Sequence, residues 1–264
     1  MRRYKFFFRT WPGRGFLALL AGAIVLVILL LERAHETILH GASEISPLTL
    51  AENFPRADGY DFDLPPVGSY QLPTLGRAPE GQVINHQATP HNLGQIFDGK
   101  ISLVSFVYLM CADGEGCPLA LDTLFEIYHS SHKVPALKKY LQLLTISFDP
   151  VRDTPAALAS FAYPVLSDPQ ADQKLDWHFM TTRSAEELQP LLAGFGQVIN
   201  RSGNSDVINH LLRLYLVDQQ GRIRNIYGLG MIAPRLIIQD VALLLQEQQQ
   251  QQQQQRGLGG GGKE

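Results

Sequence analysis

Leu103-Val104-Ser105-Phe106-Val107-Tyr108-Leu109-Met110-Cys111-Ala112-Asp113-Gly114-Glu115-Gly116-Cys117-Pro118-Leu119-Ala120-Leu121 changes character twice. An apolar, β-branched and aromatic run, starting at Ile101 and ending at Leu109, has strand character; a polar glycine-bearing loop follows, and a helix opens at Cys117-Pro118. Pro118 suits the first helical position, where its missing N–H would be unpaired in any case, and this predicts Cys117 at the N-cap. There the unpaired N–H groups and the positive end of the helix dipole favour a thiolate, the form that binds metal or attacks a disulfide. The chain has two cysteines, both flanking this loop. Any disulfide within the chain, or any two-thiolate metal site, must therefore use Cys111 and Cys117. Two cysteines in a chain of 264 residues are often just small buried hydrophobes. Their place between a strand and a Pro-started helix argues for chemistry instead.

Working outward, the elements alternate as in a layered α/β domain. The pattern predicts a strand over Ile101–Leu109, a helix over Pro118–His132, a strand over Gln142–Phe148 and a short helix from Pro155 to Ala162. Asp153-Thr154-Pro155 is a helix-start signal. Trp177–Thr181 is a further strand, and Ser184-Ala185-Glu186-Glu187 opens a helix as a capping box that Gly194 and Gly196 close. Arg213–Val217 and Arg222–Tyr227 straddle Asp218-Gln219-Gln220-Gly221 as a hairpin, and Ile232–Gln246 forms the last helix.

The amino-terminal part is of a different kind. Residues 1–14 carry Arg2, Arg3, Lys5, Arg9 and Arg14, and Gly15–Leu31 contains no polar side chain. At 1.5 Å per residue this run covers roughly 25 Å, a little short of the ~30 Å hydrocarbon core but workable as a single span with Trp11 and the flanking charges at the interfaces. The basic cluster should stay in the cytoplasm, sending everything after Glu32 across the membrane. A cleaved signal peptide is the competing reading; the length of the run and the lack of a small-x-small site near Glu32–Glu36 favour an uncleaved anchor. Residues 32–75, dotted with Pro47, Pro55, Pro65, Pro66 and Pro73, read as a linker, within which Ala57–Tyr70 could pack on the domain. The folded domain is expected over 76–246. Gln248–Gln255 and the glycines after them make 247–264 a disordered tail, with helix running some way into the glutamines. A formal net charge of -3 gives no basic field and speaks against nucleic-acid binding.

Two strand-loop-helix units followed by a hairpin and a terminal helix form the thioredoxin-like plan. Within it, four segments resemble the SCO/SenC copper chaperones, which help assemble the copper centre of cytochrome oxidase. They are Phe106-Val107-Tyr108 with Cys111 and Cys117-Pro118-Leu119; Ile146-Ser147-Phe148-Asp149-Pro150-Val151-Arg152-Asp153-Thr154-Pro155; Asn209-His210-Leu211-Leu212-Arg213-Leu214-Tyr215-Leu216-Val217-Asp218; and Gly221-Arg222-Ile223. The likeness spans roughly Gln71 to Leu245. It implies that Cys111, Cys117 and His210 are metal ligands, that the ligand is copper as Cu(I), Cu(II) or both, and that the partner is a client such as a cytochrome oxidase subunit. Two thiolates and an imidazole are a donor set that suits copper.

Members of that family typically place three residues between the cysteines, whereas here Ala112-Asp113-Gly114-Glu115-Gly116 intervene. The expected function is a membrane-anchored metallochaperone. A thiol-disulfide oxidoreductase acting on client cysteines is the alternative, needing the two cysteines but not His210. A peroxidase of the same fold is disfavoured, because the residues preceding either cysteine lack the Pro-x-x-x-(Thr/Ser)-x-x-Cys pattern. The expected location is a bacterial inner membrane with the domain in the periplasm, favoured over the mitochondrial inner membrane because no Ser-rich transit segment precedes the anchor. His35, His40, His86, His91, His129 and His132 read as solvated or helix-terminal histidines. Asp149, Arg152 and Asp153 read as capping and loop pairing rather than catalysis.

Overall fold

The structure, a computed structural model, describes residues 45–56, 63–109, 116–201 and 208–259. The expected anchor at Gly15–Leu31 lies outside these residues. Among the described residues, no helix is long and apolar enough to cross a membrane.

The centre of the fold is a pair of parallel strands, β4 (Ile101–Val107) and β5 (Leu141–Ser147), in register from Ile101↔Leu141 to Val107↔Ser147. All seven residues of each strand are buried, as expected of parallel strands covered on both faces. The rest of the sheet grows outward from this pair. β6 (Asp176–Thr181) adds in parallel beside β5. β2 (Gln82–Asn85) and β3 (Pro90–Asn92) follow it as an antiparallel hairpin. On the other side β9 (Arg213–Val217) lies antiparallel to β4, then β10 (Arg222–Gly228), then β1 (Gly76–Arg77). The order is β1-β10-β9-β4-β5-β6-β2-β3. β7 (Ile199–Arg201) and β8 (Ile208–His210) pair separately.

Side-chain alternation then divides the core into two layers. Leu103, Leu143, Trp177, Phe179, Leu214 and Leu216 face a layer completed by α3 (Gly116–Ser130) and α7 (Pro234–Gly259). Val104, Phe106, Leu144, Ile146, Met180 and Tyr215 face the opposite layer, completed by α2 (Leu93–Phe97) and α6 (Ala185–Phe195). α4 (Pro155–Phe161) and α5 (Tyr163–Leu166) carry the chain from β5 toward β6. Helices on both faces of a mixed sheet fit the thioredoxin-like plan.

Local signals behaved as their chemistry requires. Thr154 caps α4 by accepting from the N–H of Ala157 at 3.3 Å, with Pro155 opening the helix. Ser184 caps α6 in the same way through Glu187 N–H. Gly196 ends that helix with φ +63°, and two hydrogen bonds, Gly196 N–H to Ala193 O and Gln197 N–H to Leu192 O, close it as a Schellman motif. Gly194 is inside the helix rather than beyond it. Its lack of a side chain admits Pro79, whose Cβ would lie 2.5 Å from a Cβ placed there. In the β9–β10 turn, Asp218 Oδ1 accepts the N–H groups of Gln220 and Arg222, and Gly221 takes φ +72°.

Three expectations change. Helix α3 begins at Gly116, so Cys117 is its second residue rather than its N-cap; it remains in the first turn, where N–H groups lack intrahelical partners. The linker expected over 32–75 is part of the fold from Ile45 onward. α1 (Pro47–Leu50) and the 3-10 turn Ala51–Asn53 lie against α7, and Leu50 and Phe54 are only 2% and 1% exposed. Burying each of those two side chains contributes about 2–3 kcal/mol, too much for a solvated spacer. Finally, within the tail expected to be disordered over 247–264, the helix expected to run some way into the glutamines runs through all of them, to Gly259. Glutamine is a good helix former, and the packed turns up to Leu245 supply the nucleus that an isolated polar run lacks.

Candidate metal site

Three chain segments leave the sheet at one end. β4 and β5 run parallel, so the loops after Val107 and Ser147 emerge side by side. β9 runs antiparallel to β4, pairing Leu214 with Ser105, so the segment entering Arg213 arrives at that same end. The first loop carries Cys111 and enters α3, the second is Asp149–Asp153, and the third contains His210. Ligands commonly gather outside the carboxyl ends of parallel strands, because the loops there converge on a shared surface.

Of the three predicted ligands, Cys111 lies outside the described residues. Cys117 is placed in the first turn of α3, and His210 ends β8, three residues before β9, with Ile199 as its pairing partner. His210 does not sit on an open loop. It belongs instead to a short hairpin whose strands are too brief and polar to be read as strands from the sequence.

The cysteine side is rooted on buried polar groups. Asp153, 2% exposed, turns inward and accepts through Oδ2 from the backbone N–H of Leu109 at 3.1 Å and from Ser147 Oγ at 2.6 Å. Ser147 in turn accepts the N–H of Asp149 at 3.0 Å. Burial pushes the Asp153 carboxyl above its ordinary range; the hydrogen bonds from Ser147 and Leu109 oppose that shift. Asp149, almost fully buried, pairs with Arg152 at 3.4 Å. The expected loop pairing is therefore present, but Asp153 grips the neighbouring strand while the helix cap belongs to Thr154. Just beneath, the rings of Tyr108 and Phe148 meet at 5.1 Å and seal the two strand ends against the core.

The histidine side is rooted on a neutral amide. Gln197 follows the Schellman close of α6, is 4% exposed, donates to the carbonyl of Leu211 at 2.9 Å and accepts from Tyr215 Oη at 2.9 Å. Arg213 donates to Gly196 O at 2.8 Å across the same gap. The backbone immediately after His210 is thus held to the end of α6 from two points. Sequence reasoning gave neither Asp153 nor Gln197 this role. A buried polar residue next to a strand end was the only available signal.

The other histidines are elsewhere. His35 and His40 lie outside the described residues. His91 belongs to β3 in the hairpin at the far edge of the sheet, with His86 just after β2. His129 lies in the last turn of α3 and His132 in the 3-10 turn that follows it, with Nδ1 at 2.5 Å from His129 O. Among the described residues, no group of three or more His, Cys, Asp or Glu side chains is arranged to hold a metal.

Comparison with known proteins follows this geometry. The family model described as SCO1/SenC matches residues 82–246. No curated protein sequence matches the chain. Similar solved structures include Arabidopsis thaliana ScoI with copper bound, at 17% identity and a TM-score of 0.51 over 66% of this chain and 99% of that one. Yeast Sco1 with copper bound aligns at 19% identity and a TM-score of 0.52 over 65% and 89%. BsSco, a member of the Sco family of cytochrome c oxidase assembly proteins with a disulfide switch, aligns at 22% identity and 0.52 over 66% and 98%.

Proposed function

Because the chain belongs to the SCO1/SenC family, we propose that it is a membrane-anchored copper-binding metallochaperone serving assembly of a respiratory cytochrome oxidase. Its ligands in this reading are Cys111, Cys117 and His210. The observation that carries the assignment of residues is topological: the strand leading to Cys111, the first turn holding Cys117 and the segment holding His210 all meet one end of the sheet. A thiolate at Cys117, in the first turn of α3, gains from unpaired N–H groups and the helix dipole, which favours the deprotonated form a metal requires. Two soft sulfurs suit Cu(I), and the imidazole makes Cu(II) acceptable to the same site. Copper is here the cargo. The apolar run at Gly15–Leu31 holds the domain at the outer face of a bacterial inner membrane.

Copper titration of the reduced full-length protein tests the reading. Wild type should bind about one copper, His210→Ala should lose Cu(II) and hold Cu(I) more weakly, and either cysteine replaced by serine should lose both. A mature chain whose amino terminus begins beyond Leu31 would remove the anchor. The second reading, a thiol-disulfide oxidoreductase, is favoured by the five residues between the cysteines, a loop that can suit a disulfide better than a shared metal. Copper binding by His210→Ala equal to wild type, with high reductase activity in both, would select it.

A further inference from the structure

We propose that Asp153 is the positioning residue of the cysteine loop, fixing through its carboxylate where the chain leaves β4 on its way to Cys111. The inference rests on Cys111 being a metal ligand. Leu109 is the last described residue before that loop, and beyond Val107 its backbone no longer has a strand ladder to join. A half-buried N–H at that point needs a partner, and leaving it without one costs free energy. Asp153 supplies the partner at 3.1 Å from a loop anchored on the adjacent strand. The same oxygen accepts from Ser147 at 2.6 Å, so a strand-end hydroxyl and a strand-exit amide share one acceptor. Asp153 is itself held, because its own N–H donates to Asp149 O at 2.8 Å.

The cost of this arrangement identifies it as something other than ordinary loop closure. A carboxylate that is 2% exposed forfeits solvation, and burial raises its pKa accordingly. An apolar residue would avoid that penalty and could fill the space, but it could not hold Leu109. What the carboxylate contributes is a fixed exit direction for a loop that is two residues longer than its relatives' usual spacing and contains Gly114 and Gly116. Outer groups of this kind govern how well ligands meet a metal without touching it, and their loss commonly costs about 10–100-fold in affinity.

The test compares Asp153→Asn, Asp153→Ala and Ser147→Ala in the full-length protein. Asparagine can place its carbonyl oxygen where Oδ2 lies and accept both bonds without charge; alanine can accept neither. Amide hydrogen exchange at Leu109, measured without metal, should be slow in wild type and Asp153→Asn and at least tenfold faster in Asp153→Ala. Cu(I) affinity should follow the same order, falling about 10–100-fold in Asp153→Ala and staying within about threefold in Asp153→Asn. Ser147→Ala, a smaller change that keeps the bond to Leu109, should retain slow exchange and near-wild-type affinity. Equal Leu109 exchange in wild type and Asp153→Ala overturns the proposal, whatever the copper result. Loss of affinity in Asp153→Asn equal to that in Asp153→Ala also overturns it, by making charge rather than position the cause. A wild type that binds no copper refutes the chaperone reading alone, since Leu109 exchange still decides whether Asp153 holds the strand exit.

Discussion

The described parts of the amino-terminal wrap, residues 45–56 and 63–75, and the strand ends at the candidate metal site belong to the same fold, yet they are held in opposite ways. The wrap is pinned in both of its described stretches. Ile45, Leu50, Ala51, Phe54 and Leu72 are buried in the layer that includes α7. The Pro55 carbonyl accepts the N–H of Arg235 in the first turn of that helix. Two charged hubs complete the attachment. Asp240 accepts from Tyr70 at 2.6 Å, Tyr227 at 2.7 Å and Asn225 at 2.8 Å. Arg224 sits at a register shift in β10 that re-aims its side chain, and it reaches Asp218, Glu247 and the carbonyls of Leu72 and Pro73.

At the candidate site, among the described residues, Asp153 holds the strand end on one side and Gln197 holds it on the other. Val151, Val198 and Leu211 beside them stay well exposed. The difference teaches where this fold invests in stability and where it invests in position: distributed burial immobilises a segment, whereas one buried polar group at a strand end sets the direction in which the chain leaves the sheet.

The comparison can be broken most decisively at Asp240. Asp240→Ala leaves two phenols and an amide without their acceptor, and should cost about 4 kcal/mol of stability in denaturant titration, since each buried orphaned group costs roughly 1–3 kcal/mol. Copper affinity should be unaffected while the protein stays folded. A loss below about 1 kcal/mol would mean that the wrap is held by burial alone.

Gln197→Leu sharpens the other half. It keeps volume but orphans Tyr215 Oη and the Leu211 carbonyl, so the expected stability loss is smaller, about 2 kcal/mol. Its effect on Cu(II) binding through His210 should exceed that of Asp240→Ala, as read by Cu(II) titration of both variants. Equal copper binding by the two variants would erase the distinction between pinning and positioning.

The smallest effect expected is a pH dependence. Burial, followed by the hydrogen bond to Asp240, raises the pKa of Tyr70; burial and the Asp240 charge do the same for Tyr227. A group whose folded pKa is raised contributes stability that is complete below its unfolded value, near 10 for tyrosine, and is lost as pH rises above it. The Tm should therefore fall from about pH 10 upward. Tyr70→Phe should fall less steeply over that range, and identical profiles would show that Tyr70 does not feel the hub.

Much of this fold was legible because its signals are local. The apolar run at Ile101–Val107, the Thr154-Pro155 start, the Ser184 cap, the Gly196 stop and the turn from Asp218 to Gly221 each act through neighbours within a few residues, and the chain order of the elements followed from them. Local signals framed Cys111 and Cys117 between a strand and a helix start, but it was the resemblance of the surrounding segments that named them, with His210, as a donor set. Tertiary structure alone decided the rest. β1, β2, β3, β7 and β8 exist because a partner strand supplies their hydrogen bonds, and their short polar sequences carry little intrinsic preference. The wrap could not be told from a linker because the helix that buries Phe54 lies some 180 residues further along the chain. Asp153 read as a helix-start residue because its true partner, Leu109 N–H, is 44 positions away. A side chain's local chemistry states which bonds it can make; which one it does make depends on the groups that folding brings within about 3 Å.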